Sequence, residues 1–501
     1  MKKYILSLLV MIFLLSCDSK ENQVNFTIIQ VNDVYEIGPL SGGKVGGMSR
    51  VATLYKKEKA LNDNTMMVLA GDFLSPSLLG TLKYKGEKIA GKQMVDVMNA
   101  MGFDLVVLGN HEFDVKRHEL QKRIDESDFD WLATNVKYII DGDTIALHKQ
   151  SADEIIPLPE AMTYEIRNTY GKSASIGFVG ATINANPKDY VLYEDYYDSA
   201  RRALESIEDQ TDIVFGLTHL SLDQDKEFLR QLPEIPLSMG GHEHYNMDVT
   251  VGNSRVTKAD ANAKSAYVHR ISLNIKDGSS TIESSLVNID ESLERDPEVA
   301  KVVDKWLAIQ NAQLTQFIED PLDVIFTTNE QWDGTEQDIR SRQTNLGYLI
   351  SESLMYHYKD KVDAAFINSG SIRIDDNLEG EISGVDIFRI LPFGGSTVTL
   401  KIKGELLAKT LNFSMAKTGS GAYFQFANIN YNLEDKRWYI GDEPIKANKF
   451  YNIATSKFML SGYDIPFFTP ENKGIRKIEY AKEGNDDNDI RKLFINYLKS
   501  L

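Results

Sequence analysis

The stretch LVVLGNHEFD, residues 105–114, begins with four apolar residues and closes on glycine, asparagine and histidine. The run has the length and branched content of a buried strand, and Gly109-Asn110-His111 marks its end. The same pattern recurs along the first half of the chain. FTIIQV (26–31) is followed by Asn32-Asp33, and MMVLAG (66–71) by Asp72. DIVFGLT (212–218) is followed by His219, and IPLSMGG (235–241) by His242-Glu243-His244. ASIGFVG (174–180) is a sixth such run. Between the runs, GMSRVATLYKKEKAL (47–61) and KQMVDVMNAM (92–101) carry apolar residues at helical spacing. Strands alternating with helices predict a layered α/β domain over residues 25–286.

Five of these strand tips carry residues able to bind a hard or borderline metal. A lone Gly-Asp is usually a turn and a lone histidine usually a satisfied surface or core residue, so the count matters. Four of the eight histidines, His111, His219, His242 and His244, fall at tips, together with Asp33, Asp72 and Asn110. Open α/β sheets bind ligands beyond the carboxyl ends of their strands, so the tips are expected to converge on one site. Mixed carboxylate, amide and imidazole ligands suit Zn, Mn or Fe.

The rest of the chain sets the context. With 501 residues, 42% of them apolar, the chain exceeds what one core usually serves, and two domains are expected. A formal charge of −18 argues against a nucleic-acid polymer as partner, because phosphate chains are held by clustered Lys and Arg. It leaves room for a small phosphorylated substrate at a metal site.

Lys2 and Lys3 precede a short apolar run ending Leu14-Leu15-Ser16-Cys17, so residues 1–17 read as a secretory signal. Its end resembles the lipobox of bacterial lipoproteins, in which the cysteine is acylated; the alternative is an ordinary signal peptide. The lipobox reading implies export and lipid anchoring of Cys17 in the bacterial cell envelope. Cys17 is the only cysteine, so no intramolecular disulfide is expected.

Residues 287–325 contain Val299, Val302, Val303, Trp306, Leu307 and Ile309 at helical spacing, read either as a helix linking two domains or as a surface helix of one. Residues 326–501 again mix strand-like runs, such as VDAAFINSGSIR (362–373) and STVTLKIKGELL (396–407), with a helix in TNLGYLISESLMYHY (344–358). They form a second α/β domain. The glycine-rich SGGKVGGMSR (41–50) lacks the Gly-Lys-Ser/Thr ending of a phosphate loop and reads as a turn before a helix at Met48.

Taken together, Asn32-Asp33, Gly71-Asp72, GNHEFD (109–114), Thr218-His219 and GHEH (241–244) resemble the calcineurin-like metallophosphatases. RQTNLG (342–347), NSGSIR (368–373), LPFGG (391–395) and GAYFQFAN (421–428) resemble the carboxy-terminal domain of the 5′-nucleotidase and UDP-sugar hydrolase branch. The resemblance implies an αββα sandwich holding two divalent ions that share Asp72. Asn110, His219 and His242 would complete one ion site, and Asp33 and His244 belong to the other.

Such a pair activates water for in-line attack at phosphorus. His111 would stabilise developing charge or protonate the leaving oxygen, with Asp114 orienting its ring or else acting as a helix cap. Phe393 and Phe458 match the family's base-stacking rings, Arg340 and Arg373 its substrate-binding arginines, and Asn368 and Asp464 its base and ribose contacts. In the family, the two domains alternate between open and closed arrangements.

The resemblance implies release of phosphate from 5′-nucleotides. The alternatives are UDP-sugar or dinucleotide pyrophosphohydrolysis, cyclic phosphodiester hydrolysis, and nucleotide binding with little turnover.

Several positions depart from the pattern. The first motif commonly reads Asp-x-His, and here Tyr35 follows Asp33 by two. Side chains two apart on a strand share a face, so Tyr35 is expected to point where the histidine would. Three readings stay open: a phenolate ligand to ferric iron, a hydrogen bond beside a weaker three-ligand site, or a single-metal site. Gln343 stands where many members have glutamate, Glu336 where some have arginine, and Tyr463 where they have glycine.

Overall fold

The computed structural model describes residues 20–151, 154–185 and 187–501, so Cys17 and the signal segment lie outside the described residues. The chain forms two compact units, one ending at Ala308 and one running Ile309–Leu501. The division falls within the helix Pro297–Leu314.

In the first unit each apolar run becomes a strand. One six-stranded sheet has the order Ser280–Asn288, Ser265–Asn274, Gln23–Val31, Thr65–Ala70, Leu105–Val107, Asp130–Leu132. The second has the order Ala161–Arg167, Ser173–Thr182, Ile213–His219, Leu237–Gly240, Ser254–Lys258, Met247–Val251. Alternate residues of the central strands face inward: Val24, Phe26 and Ile28 of the first sheet meet Phe178, Phe215 and Leu217 of the second in one core. Fully burying side chains of this size stabilises by about 1.5–3 kcal/mol each.

Helices Met48–Leu61, Lys92–Met101 and Arg117–Glu126 cover the outer face of the first sheet, and Tyr196–Ile207 and Leu222–Gln231 that of the second. The layering is αββα. Four neighbouring strands of each sheet run parallel. Their carboxyl ends therefore gather along one edge.

The second unit is built on a five-stranded sheet ordered Phe424–Ala427, Ala364–Asn368, Phe450–Ser456, Thr397–Lys403, Ile475–Tyr480. Ala365 and Ile367 pack with Leu346, Ile350 and Leu354 of the helix Asn345–Tyr358 and with Phe494 of the helix Ile490–Leu498. Ala364 and Phe366 point the other way, into a core with Leu407 and Leu411 of the helix Gly404–Met415. Period-two alternation thus fills both faces, as a sheet between helices requires.

Candidate metal centre

The strand Gln23–Val31 ends before Asp33, and Asp33 itself has a left-handed backbone, φ 52°. This corrects the sequence argument for Tyr35. The two residues lie beyond the strand, and the turn at Asp33, not strand alternation, sends both side chains inward. The turn is held by Asp33 N donating to Gly71 O at 3.0 Å and Asn262 N donating to Asp33 O at 2.8 Å. Asn32 fixes the carboxylate by donating from Nδ2 to Asp33 Oδ2 at 2.8 Å.

Asp72 is left-handed too, φ 60°, as is His242, φ 82°. Such conformations cost of order 1–3 kcal/mol outside glycine and persist where the surroundings over-determine them. Here Glu112 does much of that. Fully buried, it accepts from Asp72 N at 2.8 Å, Phe73 N at 2.7 Å, Leu74 N at 3.1 Å and Gly109 N at 2.6 Å. Burial and the neighbouring Asp72 charge push its carboxyl up to about 7. Gly109 must be glycine, because a Cβ there would stand 2.1 Å from Asp72 Oδ1. That oxygen accepts from His111 N at 2.7 Å.

His219 ends its strand with Nδ1 2.7 Å from Ala70 O, a carbonyl, so Nδ1 donates there and Nε2 is the ring nitrogen turned to the carboxylates. Nε2 lies 3.0 Å from Asp72 Oδ2 and 3.9 Å from Asp33 Oδ1. Ligand atoms of Asp33, Asp72 and His219, all buried, fall within 4.8 Å of one another. His244 Nε2 is 3.5 Å from Asp33 Oδ1. His242 donates its backbone N–H to Asp33 Oδ2 at 2.9 Å, and its ring centroid is 5.4 Å from that of His219. Gly241 permits this approach, since a Cβ there would sit 2.1 Å from Ala70 O. Asn110 is buried beside His111 at the end of the third parallel strand.

The electrostatics match ligands awaiting a cation. Burial alone would lower the His219 imidazole, but Asp72 and Asp33 raise it to about 9. Burial, then the His219 charge, lowers His242 to about 4. Against burial, His219 and His111 hold Asp72 well below the usual carboxylate range.

Tyr35, 4% exposed, reaches the same centre: its hydroxyl is 3.4 Å from Asp72 Oδ2 and 3.3 Å from His244 Nε2. His111 Nδ1 is 2.8 Å from Asp114 Oδ2, within the short helix His111–Asp114. Ser75 Oγ donates to the same carboxylate oxygen at 3.4 Å.

In the second unit, Asn368 Nδ2 donates to Asp464 Oδ2 at 2.8 Å, and Ser371 Oγ donates to Asn368 Oδ1 at 2.6 Å. Phe393 and Phe458 are 62% and 46% exposed, against the expectation for core phenylalanines. Phe458 lines a cleft of about 470 Å³ with Gly394, Gly395, Ser461 and Tyr480. Tyr463, 84% exposed, lies beside it with ring centroids 6.2 Å apart. Arg340 pairs with Glu336, so the acid standing in an arginine's place binds the neighbouring arginine. Gln343 bridges Phe424 O and Phe426 N, a structural role. Arg373 is anchored by its backbone N–H to Ile390 O at 2.9 Å.

Residues 26–246 match the family described as calcineurin-like phosphoesterase, and residues 324–469 match the 5′-nucleotidase C-terminal domain. The chain belongs to the 5′-nucleotidase family. It is 24% identical to the 5′-nucleotidase of Bos taurus over 84% of this chain and 78% of that one. The 5′-nucleotidase precursor of Thermus thermophilus shares the fold, with TM-score 0.69, 20% identity and coverage of 95% and 96% of the two chains. So does the sulfate thiohydrolase SoxB of Thermus thermophilus, with TM-score 0.65, 16% identity and coverage of 95% and 94%.

As a family member the protein is a metal-dependent hydrolase of phosphoric ester bonds. Its residues fit a divalent ion on their own geometry: Asp33 Oδ1 and His219 Nε2 are buried polar atoms that make no well-formed hydrogen bond and meet only the ionic groups of Asp72 and His244, a setting that an ion would satisfy.

Two supports have no counterpart in the sequence reading. Glu112 lies inside GNHEFD, which assigns it no role by resemblance, although a carboxylate in a buried motif is itself a signal. Lys258, fully buried, ends the strand Ser254–Lys258. Nothing in its local pattern separates it from a surface lysine.

Proposed function

We propose that the protein is an exported, lipid-anchored 5′-nucleotidase that releases orthophosphate from nucleoside 5′-monophosphates. The observation that carries this reading is the buried group of Asp33, Asp72 and His219 with two polar atoms left for a cation. Asp72, Asn110, His219 and His242 would hold one divalent ion, and Asp33 and His244 would hold a second beside it. Zn, Mn or Fe suits this set. Such ions supply Lewis-acid polarisation of the phosphoryl group and a nucleophilic water near neutral pH.

The chain's own residues do the rest. Asp114 holds Nδ1 of His111, which leaves Nε2 as the ring atom to meet a phosphoryl or leaving oxygen. Tyr35 steadies Asp72 and His244 by hydrogen bonding and leaves the Asp33 side one nitrogen short. In the second unit, Phe393 and Phe458 stack on the base, Asn368 and Asp464 bind base and ribose, and Arg340 and Arg373 bind the substrate. Acylated Cys17 holds the enzyme to the membrane; among the described residues no helix is long and apolar enough to cross one.

Phosphate release from AMP, UDP-glucose and cyclic AMP by purified protein tests this. AMP is the expected substrate. Turnover confined to UDP-glucose or to the cyclic nucleotide, or nucleotide binding without turnover, overturns the reading.

A further inference from the structure

Lys258 is an ammonium in a place where water does not reach. Its Nζ donates to Leu220 O at 2.6 Å, to Gly241 O at 2.7 Å and to Glu243, and lies 2.7 Å from Asp225 Oδ2. Leu220 follows His219, Gly241 precedes His242, and Glu243 stands between His242 and His244. One side chain thus grips the backbone or the neighbour of every histidine the second sheet brings to the centre.

The carboxylates extend the grip. Asp225 Oδ1 accepts from Thr218 Oγ1 at 2.6 Å, one residue before His219. Glu243 Oε1 accepts from Leu222 N at 2.6 Å, the first residue of the helix Leu222–Gln231. Gly241 N donates to Thr218 O at 2.9 Å, closing the ring.

Stability alone gives no reason for this arrangement, since well-packed apolar residues often replace buried ion pairs at no loss. What an apolar side chain cannot do is hold two carbonyl oxygens and a carboxylate at fixed separations. Metal ligands need that, because half an ångström of looseness spoils a site.

We propose that Lys258 is a positioning residue that fixes His219, His242 and His244 for metal binding. The proposal rests on the metal-centre reading above. Lys258 touches neither substrate nor ion. Its loss unties Leu220 O from Gly241 O and lets the two histidine-bearing tips drift apart, and groups that orient ligands in this way typically cost 10- to 100-fold in metal affinity.

The test uses full-length protein stripped with chelator. Mn²⁺ affinity is measured by competition with a chromophoric chelator, and the thermal midpoint is measured without metal. Lys258→Met is compared with Leu204→Ala, a cavity variant on the core-facing side of the helix Tyr196–Ile207 at a residue that is none of the partners of Lys258. The expected result is a 10- to 100-fold weaker Mn²⁺ affinity for Lys258→Met, with Leu204→Ala within about twofold of the parent despite its lowered midpoint. Unchanged Mn²⁺ affinity in Lys258→Met overturns the proposal, as does equal weakening in both variants. If Lys258→Met does not fold, Glu243→Gln replaces it, with weaker Mn²⁺ binding expected and unchanged binding contradicting. A parent protein that binds no Mn²⁺ overturns the metal centre itself.

Discussion

The hydroxyl of Tyr35 lies 3.4 Å from Oδ2 of Asp72, so a phenol stands against a carboxylate of the candidate metal centre. The same hydroxyl is 3.3 Å from His244 Nε2, which places it where a further nitrogen ligand would sit. Tyr35→His supplies that nitrogen. The second equivalent of Mn²⁺ should then bind at least about tenfold more tightly, which is about 1.4 kcal/mol. Metal titrations of parent and variant check this, and identical isotherms contradict it. A strong visible absorption band on loading the parent with ferric iron would favour the phenolate reading instead.

His111 is assigned to the reacting phosphate and not to the metal. His111→Ala should lower kcat by about 10²- to 10⁴-fold while leaving metal content intact. Asp114→Asn keeps the imidazole but alters its orientation, and should show a smaller loss. Steady-state kinetics with elemental analysis separates the roles, because a variant that loses its metal would make His111 a ligand.

The two exposed rings of the second unit predict a split between substrates. A base stacked on an aromatic ring gains about 1–3 kcal/mol, so Phe393→Ala or Phe458→Ala should raise KM for AMP by about 5- to 150-fold. Hydrolysis of p-nitrophenyl phosphate, which has no base, should change little. Equal effects on both substrates would argue for a packing role.

His269, which is not among the candidate ligands, gives the first unit a pH dependence. Gln30 spends its amide N–H groups on Gly240 O and Thr257 O, so its Oε1 accepts from His269 Nε2 at 3.0 Å, and Nδ1 faces Ser284 Oγ at 2.8 Å. Burial, then the charge of Arg255, lowers the imidazole to about 3. Below the usual value of about 6.5, the unfolded chain takes up a proton that the folded one refuses. Stability is therefore complete above pH 6.5 and falls by about 1.4 kcal/mol per pH unit below it, until the folded value is reached. Urea unfolding of metal-free parent and His269→Gln at pH 7.5, 6.5 and 5.5 should show this difference in slope, and parallel curves would contradict it.

Much of this arrangement is legible in the sequence. The buried strands are readable because apolar runs such as Ile213–His219, buried at every position, end on polar tips. The convergence of Asp33, Asp72, His219 and His244 follows from parallel strands. The hairpin strands Asp143–Ala146 and Ile155–Pro157 escape such a reading because they are exposed throughout and carry no apolar period. The left-handed turns at Asp33, Asp72 and His242 are also hidden, since aspartate and histidine announce such turns far less plainly than glycine. Strand alternation aims Tyr35 correctly for the wrong local reason. Lys258 is not recognisable as a buried support, because the groups that take up its charge lie far away in sequence, and GNHEFD signals the Glu112 carboxylate without showing which backbone groups it holds.

Phosphate release from AMP by the purified protein, measured after exhaustive chelation and again after adding back Mn²⁺ or Zn²⁺, bears most directly on whether the buried cluster works through a metal. The geometry of Asp33, Asp72 and His219 predicts that activity disappears with the metal and returns with it. Undiminished phosphate release from protein shown by elemental analysis to be metal-free would contradict it.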